Sequence, residues 1–258
     1  MLNKTIKKVL YVMIAAVFWI LIFEVASILI NDNLKLFLPS PFAVFYALLR
    51  LFREGSFWES VSLTLIRIFT GFLCGTIGGV LLGTLTSHIR IFNILFSPAM
   101  RIIRAVPVVS FIILAYLFIN VNYLPIFICF LMVMPLVWQT VHDEITGFDN
   151  NLTEMAKVFN ITRYKSLFFI KLTVISDKII STMISGIGLA WKSGIATEVL
   201  CTPAVSLGRN LYRAKGNIDY DEVYAITLTV VILSIIIEHL IKYSYTRKTR
   251  LEKQYDKV

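Results

Sequence analysis

Long uncharged apolar runs separated by short polar and basic connections dominate this 258-residue chain. Six runs approach the ~20 residues that an α-helix needs to cross ~30 Å of hydrocarbon at about 1.5 Å per residue. They cover residues 9–30, 61–86, 94–119, 124–141, 179–199 and 223–243. Only Glu24 interrupts the first. The third carries Arg101 and Arg104 in its opening turns, so its membrane part is expected to begin near Ala105. No charged residue occurs from Ala105 to Val141, a run that a soluble core rarely contains. The pattern predicts an all-α membrane protein with six transmembrane helices in one domain over residues 1–258.

Composition agrees. The chain is 57% hydrophobic and 16% charged, against roughly 25% charged in soluble domains. Its N-terminus is basic like a secretory signal, but the apolar stretch of about 22 residues exceeds the ~7–15 of a signal core, so it reads as a retained first helix. The net charge of +9 would suggest nucleic acid in a soluble protein. Here it follows from topology. If the N-terminus is inside, seventeen of the 25 lysines and arginines fall in inner connections and tails and six in outer ones. Arg67 and Lys192 remain within spans. Basic residues concentrate on the cytoplasmic side, so both termini are expected inside. No aromatic-interleaved basic patch accompanies the charge, which argues against nucleic-acid binding. Three scattered cysteines and three scattered histidines offer neither a disulfide framework nor a metal spacing.

Two connections are long. Residues 31–60 contain Leu38-Pro39-Ser40-Pro41 and then FAVFYALLRLF, expected as a short helix along the outer surface. Residues 142–178 hold two amphipathic pieces. Thr153 precedes the first, with Glu154 in its opening turn where a carboxylate suits the helix dipole. Met155, Val158 and Phe159 give it one apolar face, and Asn160 suits the left-handed residue that ends a helix. The second piece is RYKSLFFIKLTVI. Such a helical hairpin either lies on the membrane surface or docks a soluble partner.

This loop resembles the coupling segment of binding-protein-dependent ABC permeases, EAA, three residues, Gly, nine residues, then I-x-L-P. Glu154-Met155-Ala156 stand for EAA, Asn160 for the glycine, and Ile170-Lys171-Leu172-Thr173 for the closing motif. The first alanine, the glycine and the proline are replaced. Over about residues 36–240 the chain is similar to the nitrate, sulfonate and taurine branch of these permeases. Leu38 to Pro41, Ser62 to Phe72 with Arg67 and Gly71, Arg104-Ala105-Val106-Pro107, and Ala190-Trp191 with Glu198 match its motifs in order. The resemblance implies the type I importer permease fold in a bacterial cytoplasmic membrane. It implies a permease dimer, two ATP-binding subunits gripping Glu154, Met155, Ala156, Asn160, Ile170 and Leu172, and an extracytoplasmic solute-binding protein. ATP and magnesium would be held by the partner subunit, this chain binding no cofactor and catalysing nothing. No phosphate-binding glycine loop or paired acid–base set is present in the sequence.

Two membrane-embedded features stand out. Gly71, Gly75, Gly79 and Gly83 recur every fourth residue, a ladder that lets helices approach closely, within the subunit or across a dimer seam. Lys192 lies deep in the fifth span, where an unpaired cation costs about 2.5–3.5 kcal/mol. It either faces a pathway, with Trp191 and Glu198 as further candidate lining residues, or forms a structural ion pair or snorkels outward. Candidate partners are Glu198, Glu24 and Glu238. A pathway-facing Lys192 suggests an anionic solute, although a permease for a thiamine or pyrimidine precursor fits the motifs equally. A membrane enzyme using Glu24, Glu198, Glu238 and His239 would need those groups at one depth, which their spacing does not suggest. A passive channel would leave the coupling-like loop unexplained.

Overall fold

A computed structural model describes residues 2–29, 37–147 and 176–255. Among the described residues the regular structure is helical. The helices are α1 (Leu2–Leu29), α2 (Pro41–Phe52), α3 (Gly55–His88), α4 (Arg90–Ala105), α5 (Val108–Tyr116), α6 (Leu124–Thr146), α7 (Ser176–Cys201), α8 (Leu207–Gly216) and α9 (Tyr220–Tyr255). Four are long and apolar enough to cross a membrane: α3, α6, α7 and residues Tyr220–Tyr243 of α9. The pair α4 and α5 together makes a fifth candidate. The 28-residue α1 has its apolar stretch at Val17–Ser27.

The third predicted span differs from the straight helix expected over 94–119. It is broken, α4 and α5 meeting at 105°. The cause is Pro107, which lacks an amide hydrogen and pushes the residue before it out of the helical region. Val106 accordingly sits at φ −81, ψ 134, and α5 restarts after Pro107. The long inner connection is shorter than 142–178, because α6 continues to Thr146 and α7 begins at Ser176.

The surface helix α2 starts where the prolines predict. Pro41 occupies its first turn, and the Ser40 hydroxyl accepts from the Ala43 amide at 3.2 Å. It buries Ala47, Leu48 and Leu51 against the bundle while Phe42, Phe45 and Tyr46 stay exposed. Arg50 reaches α9 and the turn before it, pairing with Asp219 at 3.3 Å and Glu222 at 3.2 Å.

The core is organised on α6. Cys129, Val133, Val137 and Val141 are fully buried along its length, packed between α3 and α7. The glycine ladder of α3 lies directly on this row. A Cβ on Gly75 would stand 2.9 Å from that of Val133, on Gly79 2.7 Å from that of Val137, and on Gly83 2.8 Å from that of Val141. On Gly71 it would strike the Ile126 carbonyl. Contacts this close to backbone and β-branched side chains cannot relax by rotamer change, so each rung excludes a side chain. Gly79→Leu is therefore expected to force the helices apart, an overpacking cost of at least about 1–3 kcal/mol. Thermal unfolding in detergent measures it, and an unchanged midpoint would remove the ladder from the packing seam.

Candidate functional site

The residues that sequence placed together on α7 divide between two faces. Trp191 and Glu198 point into the subunit, 3% and 0% exposed. The indole Nε1–H of Trp191 donates to the Val230 carbonyl of α9 at 3.2 Å. Lys192 points the other way and is exposed, on a stripe with Ser181, Ser185 and Leu189 that the rest of the bundle leaves open. None of its candidate partners pairs with it. Glu238 pairs with Lys242 at 3.6 Å, Glu198 with Arg67 at 3.4 Å, and Glu24 keeps one buried oxygen without a hydrogen bond among the described residues. The Glu238 carboxylate nonetheless borders the stripe, 3.3 Å from where a Cβ on Gly188 would lie, one turn before Lys192.

Arg67, a charge within a span, and Glu198, a candidate lining residue and candidate partner of Lys192, instead pair with each other and form the polar centre of one end of the bundle. Glu198 accepts from the Thr64 hydroxyl at 2.8 Å, from the Gly208 amide at 3.3 Å and from Arg67 Nη1 at 3.4 Å. The same Arg67 nitrogen donates to the Val205 carbonyl at 2.7 Å, and Thr64 Oγ1 also accepts from the Leu207 amide at 3.1 Å. Ser206, itself buried, caps the Arg209 amide at 3.1 Å. The first amides of α8 are thus met by a hydroxyl, a carboxylate and a second hydroxyl, an arrangement that the helix dipole favours. Gly208 makes it possible, since a Cβ there would collide with Glu198 itself. The result ties α3, α7 and α8 together through a charge that neither water nor lipid reaches. The available signal was that Arg67 and Glu198 are opposite charges toward the same end of neighbouring apolar runs.

At the opposite end, Thr86, Trp138 and His142 interlock. The Trp138 Nε1–H donates to Thr86 Oγ1 at 2.9 Å, and His142 Nδ1 lies 3.1 Å from the same oxygen. Across the start of the connection to α7, Thr140 and Thr182 share a hydrogen bond at 3.0 Å, and Lys178 lies 3.7 Å from Glu144. A cleft of about 540 Å³ opens beside this cluster, its wall mostly apolar with Ile94, Pro98 and Trp138, and Asn93, Ser97, Arg101, Gln139 and Asp143 around it. The coupling-like residues Glu154, Met155, Ala156, Asn160, Ile170 and Leu172 fall in 148–175, outside the described residues. No group of His, Cys, Asp or Glu among the described residues is arranged to hold a metal ion.

Residues 75–250 match the family described as "Binding-protein-dependent transport system inner membrane component". A glycine betaine/carnitine transport permease protein of Listeria monocytogenes is 24% identical over 76% of this chain and 69% of its own length. The nitrate import permease protein of Leptolyngbya laminosa is 22% identical over 75% of this chain and 69% of its own length. A bicarbonate transport permease of Synechococcus elongatus is 24% identical over 60% of this chain and 56% of its own length. In fold the chain resembles an inward-facing structure of the MetNI methionine ABC transporter, with a TM-score of 0.57 at 21% identity over 80% of this chain and 96% of that one. The apolar helices, the coupling-like segment in the sequence and the family match lead to one conclusion: the chain belongs to the binding-protein-dependent inner-membrane transport components, as a multi-pass permease subunit of an ABC importer in the cytoplasmic membrane.

Proposed function

We propose that this chain crosses the membrane six times with both termini inside and pairs with a second copy to enclose a pathway for a small anion. Two ATP-binding subunits grip residues 148–175 through Glu154, Met155, Ala156, Asn160, Ile170 and Leu172, and hold the ATP and magnesium. An extracytoplasmic binding protein delivers the solute to the end where α2 and α8 lie. The chain itself performs no covalent chemistry.

Lys192 carries the substrate reading. It stands about 20 Å of helix from the start and about 10 Å from the end of the span expected over 179–199. A four-carbon stem does not cover either distance, which disfavours snorkelling. Its pairing with Glu24, Glu198 or Glu238 is absent, which disfavours a structural ion pair. A cation at that depth on an open face is best accommodated by water and a passing anion. Nitrate and bicarbonate permeases among the relatives fit this charge, whereas the betaine/carnitine relative does not require it.

The test is uptake by the complete complex in proteoliposomes, offered nitrate, bicarbonate, taurine and a neutral thiamine precursor. Uptake of the neutral solute alone would sink the anion reading and leave the importer class standing. Coupling is tested separately by Ala156→Asp, which puts a charge into the proposed docking helix. Uptake per ATP hydrolysed is expected to fall by at least about tenfold while the subunits still co-purify. Unchanged uptake would remove 148–175 from coupling.

A further inference from the structure

We infer that Thr86, Trp138 and His142 pin the register of α3 against α6, so that a push delivered through residues 148–175 moves α3, α6 and α7 as one unit. This rests on the importer reading. Its physical basis lies in what the glycine ladder does not do. Gly71, Gly75, Gly79 and Gly83 repeat every four residues, and so do the side chains they meet on α6, Cys129, Val133, Val137 and Val141. A seam of identical steps holds two helices close but is nearly degenerate to a slip of one turn, the kind of ratchet that packed helices make. Fixing such a seam takes a directional group that does not repeat, as a single buried polar residue fixes register in a coiled coil.

Thr86 is that group. It follows the last rung by three residues and is 2% exposed. Its hydroxyl donates to the Gly83 carbonyl at 3.1 Å and accepts the Trp138 Nε1–H at 2.9 Å. The remaining lone pair meets His142 Nδ1 at 3.1 Å, which satisfies every site on the oxygen when that nitrogen carries the proton. The Trp138 and His142 rings are stacked, 5.5 Å between centroids at 17°, so one fixes the other's plane. A one-turn slip would break both contacts between the helices, Trp138 to Thr86 and His142 to Thr86, and strand a buried indole donor.

The pin also sits where a push would arrive. His142 is four residues before the end of α6, the last described helix before 148–175. The helix that follows, α7, is joined to α6 at the same level by Thr140–Thr182 at 3.0 Å and Lys178–Glu144 at 3.7 Å. The two helices that flank the segment are therefore linked to each other, and among the described residues it is α6 that a buried polar contact pins to α3 at this end. Without the pin, displacement of α6 would be absorbed by sliding along the ladder.

Thr86→Val keeps shape and volume but removes the hydroxyl, Thr86→Ser restores it, and Trp138→Phe keeps a ring over His142 without the N–H. In the reconstituted complex, Thr86→Val and Trp138→Phe are expected to lower uptake per ATP hydrolysed by about five- to tenfold, with Thr86→Ser near the native ratio. A plain packing role would lower uptake and hydrolysis together and leave the ratio unchanged. Ratios within about twofold of native in Trp138→Phe and in any Thr86→Val complex that assembles would overturn the inference. If Thr86→Val does not assemble, Trp138→Phe decides alone. A native complex that neither hydrolyses ATP nor takes up solute would instead defeat the importer reading.

Discussion

Glu198→Ala is expected to remove most of the folded protein from the membrane. The carboxylate is fully buried and satisfies Arg67, Thr64 and the amide of Gly208 at once. Arg67 cannot be deprotonated, so deletion leaves a guanidinium with 12% of its side chain exposed facing no counter-charge. Removing one partner of a buried pair costs about 3–5 kcal/mol, a large share of the roughly 5–15 kcal/mol that holds a typical domain folded. The α8 N-terminus also loses a cap, and the Val205 carbonyl alone remains to hold Arg67. Glu198→Gln keeps an acceptor for Thr64 and Gly208 and loses only the charge, so its effect should be smaller. Membrane yield and thermal unfolding in detergent read both. Native yield and native midpoint for Glu198→Ala would show that the network is not structural.

Lys192→Glu should have the opposite profile, native assembly with solute uptake reduced by at least about tenfold. The side chain makes no hydrogen bond or ion pair with a described residue, so its replacement removes no polar contact. What changes is the sign of the charge offered to a solute at a depth where screening by water and salt is weak. Lys192→Arg should retain uptake, and Lys192→Met should fall between. The comparison that matters is with Glu198→Ala: the two residues share α7 but face opposite ways, one expected to govern transport and the other folding. Native uptake by Lys192→Glu would take this face out of the pathway.

The helical class was legible because burial in hydrocarbon requires every backbone group to be satisfied within the segment, which leaves a long uncharged run few alternatives. Five runs correspond to single helices, α1, α3, α6, α7 and α9, most of which pass a predicted end by a few residues and α9 by a longer tail to Tyr255, since hydropathy marks the apolar middle and not the caps. The third run is not one straight helix because Pro107 is apolar by composition and invisible to hydropathy, yet decisive for the backbone. Its motif was recognised without its consequence. The opposing faces of Lys192 and Glu198 followed from their spacing of six residues, which a helix places well apart in azimuth. Arg67 stands out in the sequence as a charge within a span, but nothing in the pattern singles out Glu198 as its partner. The pin at Thr86 was not legible, since a threonine more than fifty residues from the tryptophan and the histidine shares no pattern with them until α3 lies on α6.

The 105° break between α4 and α5 has a consequence for how the bilayer is sealed. A helix that stops and restarts leaves the last carbonyls of one piece and the first amides of the next without intrahelical partners. Lipid tails offer such groups nothing, and irregular backbone survives at membrane depth only against protein or water. Pro107, Val109 and Ser110 are exposed at this corner. Wherever this corner meets hydrocarbon, a second protein surface or a column of water has to complete the wall.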